Sequence, residues 1–239
     1  IALEPKPNRT YIDATFGDGG YSRRILETAN CKVIAIDQDP TVLGQANDLK
    51  SEFKDRFEFF NKKFGEMDEI VEKLKIKNLD GVVFDLGISS MQIDNKNRGF
   101  SFQKEGKLDM RMSQKGLSAE DAINDLSETD LADIIFQYGD ETKSRKIAKK
   151  ILDIRAKERI ETTAQLTQIV SSCFPKKYYK THPATKTFQA IRIFVNEEIE
   201  ELIKGINLTS KYLSENGKLC LVTFHSIEDR IVKNFFKIT

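Results

Sequence analysis

The sequence predicts an α/β fold in which a helical segment interrupts a mostly parallel sheet. The first hundred residues alternate short β-branched or aromatic runs with helical stretches, which is typical of βαβ units. A long region with helical patterning and no strand signal follows, and β character returns near the end. A length of 239 residues suits one large unit or two unequal ones.

The individual elements follow from these patterns. Strands are predicted at residues 10–14, 33–37, 57–60 and 81–86, and helices between them at residues 21–28, 40–53 and 66–74. Asp39 before Pro40 supplies an N-cap and a proline in the first helical turn. A helix at 188–213, a strand at 218–224 and a last helix from Ile227 complete the pattern, with Asn216-Gly217 expected to end the long helix.

The middle of the chain is predicted to be a helical insert. A polar stretch with several glycines, residues 87–116, leads into it, and three capping signatures mark helix starts: Ser118 with Asp121, Ser127 with Asp130, and Thr162 with Gln165. We therefore predict a discontinuous domain, residues 1–105 with 190–239, and an insert of residues 106–189.

Composition and charge exclude several classes of protein. The formal net charge of +1, with 39% hydrophobic and 31% charged residues, is that of an ordinary soluble globular protein. The apolar runs are far shorter than the ~18 residues that span a bilayer, and nothing near Ile1 has the pattern of a secretory signal, so we expect a cytoplasmic protein. The three cysteines are far apart, which indicates buried thiols rather than disulfides or a metal site; no metal is expected.

The insert is strongly basic although the whole chain is nearly neutral. Residues 143–192 contain thirteen Lys and Arg against three Asp and Glu. Such asymmetry is typical of a nucleic-acid binder, and the alternative is a solvated helix face. The candidate RNA contacts are Lys143, Arg145, Lys146, Lys149 and Lys150, then Lys176, Lys177 and Lys180 beside Tyr178 and Tyr179, which can stack on bases.

A glycine-rich turn follows the first predicted strand. The run Asp13-Ala-Thr-Phe-Gly-Asp-Gly-Gly20 lets the backbone pass close beneath a ligand at the carboxyl end of a strand, where open α/β sheets bind small molecules. Asp37 ends the second strand, at the usual position of a carboxylate that accepts the ribose hydroxyls. Together these features predict a nucleoside cofactor; a turn that serves only packing is the alternative.

The charges of this turn distinguish between cofactors. Ser22 occupies the third glycine position of a dinucleotide motif, and Asp13 and Asp18 would repel a diphosphate. S-adenosylmethionine carries a sulfonium and an ammonium but no phosphate, so carboxylates attract it. The sequence favours S-adenosylmethionine over a nicotinamide dinucleotide.

The remaining candidate residues lie after the fourth strand. Asp85 should border the reacting group, because the first and fourth strands lie side by side in this class of sheet. The blocks at residues 98–102 and 108–112 are too polar for a mere connector and are candidates to cover the site.

Seven blocks, at residues 13–22, 35–40, 85–92, 98–102, 108–112, 182–192 and 224–230, resemble the bacterial ribosomal RNA small subunit methyltransferase H family, also called MraW. The blocks are distributed over nearly the whole chain and stand in the same order as in the family. The resemblance implies a Rossmann-like class I methyltransferase with an inserted helical domain that recognises the substrate. It also implies N4-methylation of a cytosine in the decoding centre of 16S rRNA.

The resemblance also implies roles for particular residues. Gly19, Gly20 and Tyr21 would form the cofactor loop, Asp37 would hold the ribose, and Phe64 would flank the adenine. Asp85 and Gln92 would complete the pocket. The sequence departs from the family pattern at three places: Tyr21 replaces the usual His, Lys107 the usual Pro, and Ser113 the usual Asp. The first departure puts any role of an imidazole at that position in doubt.

Cytosine N4 is a poor nucleophile, so a group must accept a proton or hydrogen bond from it, and the base must leave its stack to reach the site. Asp85 is the predicted acceptor and Asp109 its rival, with backbone carbonyls near Gly87 as substitutes. Lys186, Arg192 and His225 are further candidate RNA contacts. His182, like His225, is more typical of a structural residue.

Other functions remain open on the sequence alone. A methyltransferase acting on another RNA base or on protein fits the same cofactor site, and so does a non-catalytic RNA-binding assembly factor. A nicotinamide-dependent oxidoreductase is disfavoured by the loop charges. The expected partner is 16S rRNA within the small ribosomal subunit, with no membrane, and a homodimer is compatible with the sequence.

Overall fold

The structure, a computed structural model, describes residues 2–103, 105–175 and 177–238. Its sheet contains strands β1 (Thr10–Asp13), β2 (Lys32–Ile36), β3 (Phe57–Phe60), β4 (Leu79–Asp85) and β5 (Leu213–Val222). All of them are parallel, in the order β3-β2-β1-β4-β5. The order reverses between β1 and β4, so their carboxyl ends form the crevice where sheets of this kind bind ligands. The predicted α/β class is confirmed.

Helices are numbered along the chain as α1 (Gly20–Thr28), α2 (Leu43–Phe53), α3 (Met67–Lys73), α4 (Ser90–Asp94), α5 (Ala119–Asp125), α6 (Glu128–Gly139), α7 (Ser144–Arg155), α8 (Thr163–Ser172), α9 (Thr185–Asn196), α10 (Glu198–Tyr212) and α11 (Ser226–Ile238). The predicted caps are present, because Ser118, Ser127 and Thr162 each accept a hydrogen bond from the backbone three residues later. Each such cap contributes about 1 kcal/mol to helix stability.

The chain divides into two compact units. The sheet unit comprises residues 1–87 and 199–239, and the helical unit residues 88–198, which is wider at both ends than the predicted insert. The core of the sheet unit is formed by strand residues such as Ile12, Ile36 and Phe84 with Met67 and Leu202 from helices. A separate core fills the helical unit, so each unit has the buried apolar surface that an independent domain needs.

The predicted helix at 188–213 is wrong as a single element. Glu197 adopts a left-handed conformation (φ 53°), which ends α9 at Asn196 and starts α10 at Glu198. A non-glycine residue pays an energetic penalty in this conformation, and no Gly or Pro marks the break in the sequence. Asn216-Gly217 also lies within β5 instead of ending a helix, next to a register shift opposite Leu79 and Gly81.

All three cysteines are free thiols. Cys31 and Cys173 are buried and Cys220 is partly buried. Burial raises the pKa of each thiol above its ordinary value. No helix in the described part of the chain is long and apolar enough to cross a membrane.

Candidate functional site

The glycine turn after β1 has the backbone that its sequence predicts. Gly17 and Gly19 have positive φ angles of 50° and 79°, and residues that carry a side chain rarely adopt this backbone conformation. A Cβ at Gly19 would also lie 2.8 Å from Cζ of Phe16. Glycine is therefore required at position 19 on two separate grounds.

Helix α1 begins at Gly20 and presents an open amino end. Its N-cap is Gly19, which offers no side-chain acceptor, and apart from the neighbouring residues and the backbone of α1 itself, no atom of the described residues lies within 4 Å of the position of a Cβ at Gly20. Backbone N–H groups in such an arrangement suit a carboxylate. Tyr21 is 37% exposed, and burial together with the charges of Asp85 and Asp13 raises the pKa of its phenol, so it is neutral near pH 7.

Asp13 holds this turn together from below. It is fully buried and accepts hydrogen bonds from Oγ of Ser22 at 2.7 Å, from N of Ser22 at 3.0 Å and from N of Thr15 at 3.4 Å. Burial raises the pKa of Asp13 to about 6 against the opposing effect of these bonds. The expectation that Asp13 adds an attractive charge to the cofactor loop is thus wrong: its carboxylate faces the interior and supports the loop.

Asp37 directly follows β2. Oδ2 accepts a 2.8 Å hydrogen bond from N of Gly17, and Oδ1 accepts one of the same length from N of Asp39. Nδ2 of Asn61 also donates to the carbonyl of Asp37. These bonds fix the carboxylate beside the glycine turn, as the prediction of a ribose-binding residue requires.

Phe64 lies in a short turn, Phe64–Glu66, after β3, and α10 determines its position. Its ring packs edge-on against Phe84 at 5.3 Å between centroids. Oε2 of Glu201 accepts a 3.0 Å hydrogen bond from N of Gly65, and a Cβ at Gly205 would lie 2.8 Å from Cδ2 of Phe64. Glu201 is only 5% exposed. The sequence analysis missed both α10 residues, because no local motif connects them to Phe64.

Asp85 ends β4 beside the glycine turn. Its backbone N–H donates a 2.6 Å hydrogen bond to Oγ1 of Thr15. Within residues 2–103, 105–175 and 177–238, no group forms a hydrogen bond or ion pair with its carboxylate. Burial raises the pKa of this carboxyl. A partly buried carboxylate with no internal partner and a raised pKa is typical of a functional group at a strand end.

The turn after β5 lies next to that of β4, since Val222 is the register partner of Asp85. The side chain of His225 is 8% exposed, and Nε2 lies 3.1 Å from Oε1 of Glu228, which is itself buried. His225 is thus a structural residue of this turn, and the prediction that it contacts RNA gains no support from its burial. Phe224, which the sequence analysis did not single out, is instead 67% exposed.

In the helical unit, Asp109 and Gln92 are both engaged internally. Arg111 contacts the Asp109 carboxylate through Nη2 at 2.6 Å, Nε at 3.1 Å and its backbone N at 2.9 Å. Oε1 of Gln92 accepts a 3.0 Å bond from N of Ser89 and closes a capping box at the start of α4. The Asp109 carboxylate is thus occupied by Arg111, whereas that of Asp85 has no such partner among the described residues; the predicted roles of Asp109 and Gln92 stay predictions.

The predicted RNA contacts on or beside α7 and α9 fall into two groups. Four have partners in their own unit: Lys143 lies over the Phe174 ring, Lys146 donates to the Cys173 carbonyl, Lys186 to the Asp140 carbonyl, and Arg192 pairs with Glu198 through two 2.8 Å bonds. Arg145, Lys149 and Lys150 are exposed on α7, and within the described ranges none of them has a hydrogen bond or ion pair. These exposed side chains therefore remain the clearest candidates for phosphate contacts.

A cavity of about 460 Å³ opens in the helical unit between α8 and α9. Aromatic and basic side chains line it: Phe174 packs edge-on against Tyr179, Lys177 lies over the Tyr179 ring, and Tyr178 is 90% exposed. His182 stacks on Phe102 with 4.9 Å between centroids. The predicted contact Lys176 lies outside the described residues. The cavity has the character of a surface that accepts unpaired bases.

The fold and site together define a class I methyltransferase: five parallel strands in this order, a glycine turn after β1, a carboxylate after β2 and an acidic residue at the end of β4. The sequence model of the MraW methylase family matches residues 1–239, so the chain belongs to that family. The assignment confirms the predicted methyltransferase and its cofactor, S-adenosylmethionine.

Curated relatives agree with this assignment. The chain is 52% identical over 235 residues to the ribosomal RNA small subunit methyltransferase H of Rickettsia bellii (strain OSU 85-389), covering 98% of the chain and 76% of the relative. Identity to the protein of the same name from Rickettsia massiliae (strain Mtu5) is 50% over 236 residues, with 99% and 76% covered. A solved rRNA methylase from Streptococcus thermophilus overlaps 36% of the chain and 46% of its own at 22% identity and a TM-score of 0.31. That score carries no weight for the fold.

Proposed function

We propose that this protein transfers a methyl group from S-adenosylmethionine to N4 of a cytosine in the decoding centre of 16S rRNA. The observation that supports the chemistry best is the Asp85 carboxylate, which stands at the end of β4 with a raised pKa and no internal partner among the described residues. Family membership supports the substrate class, since relatives at about half identity carry the name of a small-subunit rRNA methyltransferase.

The sheet unit contains binding groups that fit S-adenosylmethionine. The open amino end of α1 at Gly20 suits its carboxylate, Asp37 its ribose hydroxyls, and Phe64 its adenine. When bound, the cofactor supplies a methyl group on a sulfonium; transfer to an amine leaves a neutral thioether and releases one proton. No diphosphate is needed for these contacts, in keeping with Ser22 at the third glycine position.

Asp85 would accept the proton that the amine loses. The cytosine lone pair is delocalised into the ring, so a hydrogen bond from N4–H to a carboxylate favours the conformation in which nitrogen can attack. The bond between N of Asp85 and Oγ1 of Thr15 holds the acceptor in place relative to the glycine turn. Holding the amine and the methyl donor together in reacting geometry can lower a barrier by ~7 kcal/mol or more, so little further chemistry is required of the protein.

The helical unit would bind the surrounding RNA. Arg145 and Lys149 supply exposed positive charge on α7, and the cavity beside Tyr178 supplies aromatic faces for unpaired bases. Ribosomal RNA as substrate also agrees with the sequence-based expectation of a cytoplasmic protein.

Mass mapping of small-subunit RNA tests this proposal. Cells that lack the protein should lose one N4-methyl group from a decoding-centre cytosine, and the purified protein with S-adenosylmethionine should restore it to subunits from those cells. An unchanged cytosine would refute the substrate assignment. Methylation of a different base, or of a ribosomal protein, would keep the enzyme class and replace the target.

A further inference from the structure

Phe224 stands at the same edge of the sheet as Asp85. It follows the end of β5 by two residues, and Val222 at that end is the register partner of Asp85 in β4. N of Leu86 donates a 3.1 Å hydrogen bond to the carbonyl of Val222, so the two strands remain paired up to their carboxyl ends. The ring of Phe224 therefore emerges next to the turn that carries the predicted proton acceptor.

The ring lies against a residue that has no side chain. A Cβ at Gly87 would be 3.3 Å from Cδ2 and 3.8 Å from Cγ of Phe224, and Gly87 has a positive φ of 94°. Any larger residue would crowd the ring and strain the backbone. The edge of the ring is thus supported by the Gly87 backbone, while 67% of the residue remains exposed.

A buried network fixes the backbone that carries this exposed ring. Oε2 of Glu228 accepts a 2.8 Å hydrogen bond from N of Phe224, and Oε1 lies 3.1 Å from Nε2 of His225. Glu228 is 2% exposed. An isolated exposed hydrophobic residue needs no explanation, but one whose backbone is held by buried polar side chains at the edge of the site does.

We infer that Phe224 stacks on the extruded target base and holds it beside Asp85; this inference rests on the proposed function. A base that leaves its helix loses its stacking partners, and an aromatic face replaces them. Every nucleobase offers such a face, so Phe224 supplies position and affinity, and recognition of cytosine falls to polar groups. The other candidate at this turn, His225, is buried with Glu228 and presents no face to a ligand.

Substitution at Phe224 tests the inference through activity. Stacking on an aromatic side chain contributes about 1–3 kcal/mol per base, so Phe224→Ala should lower kcat/KM for unmodified small subunits about 5- to 150-fold. Phe224→Tyr keeps the face and should stay within about threefold of wild type. The Kd for S-adenosylmethionine should change less than about twofold in both variants, since loss of cofactor binding would indicate a folding defect instead.

A fluorescence experiment reports contact directly, because the chain contains no tryptophan. Phe224→Trp introduces a single tryptophan, which can be excited apart from the tyrosines, and a decoding-region RNA fragment with the target cytosine should quench its emission more strongly than the same fragment with an abasic site there. Phe136→Trp is the matched control: Phe136 is 57% exposed on α6, and its signal should not distinguish the two fragments.

These two experiments distinguish failure of the stacking role of Phe224 from failure of the proposed function. Equal quenching by the two fragments, or full activity of Phe224→Ala, would overturn the stacking role while wild-type methylation continued. If the wild-type protein methylated no small-subunit RNA, the proposed function itself would fail.

Discussion

Thr15 and Asp85 connect the two strand ends that frame the cofactor crevice. Oγ1 of Thr15, in the turn after β1, accepts a 2.6 Å hydrogen bond from N of Asp85 at the end of β4. The threonine hydroxyl thus holds the proposed proton acceptor beside the turn that is expected to bind the methyl donor. The same turn is supported from beneath by Asp13, so its position depends on buried groups at several points.

Asp85→Asn should lower kcat for rRNA methylation about 100-fold or more, because an amide cannot take the proton that the amine releases. The Kd for S-adenosylmethionine should stay within about threefold, which single-turnover assays and calorimetry would show together. Asp109→Asn is the comparison, and its effect should be smaller because Arg111 already occupies that carboxylate. A larger loss in the Asp109 variant would transfer the acceptor role to it.

Asp37→Ala should weaken binding of S-adenosylmethionine about 10- to 100-fold. The variant loses the expected contacts with the ribose and also the acceptor for N of Gly17, which shapes the glycine turn. Calorimetry on the RNA-free protein measures the effect. Asp55→Ala, an exposed carboxylate in the turn before β3, serves as the control and should bind normally. Equal affinity in both variants would contradict the assignment of Asp37.

The raised pKa of Asp13 predicts how the stability of the protein depends on pH. Its folded pKa of about 6 lies above the ordinary 3.8, so the folded state holds the proton more tightly than the unfolded state. The contribution of Asp13 to the free energy of unfolding is therefore most favourable below pH 3.8 and is lost as pH rises through about 6. The difference between the two pKa values corresponds to about 3 kcal/mol at most.

Urea unfolding of the wild-type protein and Asp13→Asn between pH 4.5 and 7 would reveal this contribution. The wild-type free energy of unfolding, taken relative to the variant, should decrease as pH rises. A constant difference across this range would show that Asp13 has an ordinary pKa.

Glu201→Ala should raise the KM for S-adenosylmethionine about tenfold and leave kcat nearly unchanged, because the N–H of Gly65 loses its acceptor and Phe64 loses its support. Glu201→Gln retains an oxygen acceptor and should restore most of the affinity. Lys204→Ala removes only an exposed partner of Glu201 and should behave as wild type. A loss confined to kcat would show that Glu201 acts elsewhere than on Phe64.

The salt dependence of the affinity for rRNA tests the predicted phosphate contacts on α7. Arg145→Gln and Lys149→Gln should each reduce the slope of log affinity for rRNA against log salt concentration by about 0.7 to 0.9, the value for one phosphate contact. Lys32→Gln is the matched control, since Lys32 is an exposed lysine at the amino end of β2. Unaltered slopes in both α7 variants would remove these residues from the RNA interface.

Local patterns predicted most of the fold. The first four strands lie within two residues of their predicted bounds, whereas β5 begins at Leu213 instead of 218. The helix starts at Ser118, Ser127 and Thr162 were predicted from capping signatures. The break at Glu197 was not predictable, because a charged residue replaces the glycine that normally marks a left-handed helix end. Asn216-Gly217 has the composition of a turn, but pairing of β5 with β4 overrides that local preference.

The site was predictable where topology alone brings residues together. Asp37 and Asp85 stand at the carboxyl ends of β2 and β4, the parallel strands on either side of β1, and such ends lie at one edge of the sheet. Glu201 was not predictable, because it contacts Gly65 across 136 positions of sequence. Burial is also not evident from local sequence: Asp13, predicted as an attractive charge of the loop, is fully buried, and the side chain of His225, predicted as an RNA contact, is only 8% exposed.

The sheltered thiols make this protein convenient for labelling. With Cys31 and Cys173 buried and the pKa of every thiol raised, maleimide dyes at neutral pH should react slowly with the native residues. A single cysteine introduced on the exposed face of α7 would then carry a dye selectively, without a cysteine-free background.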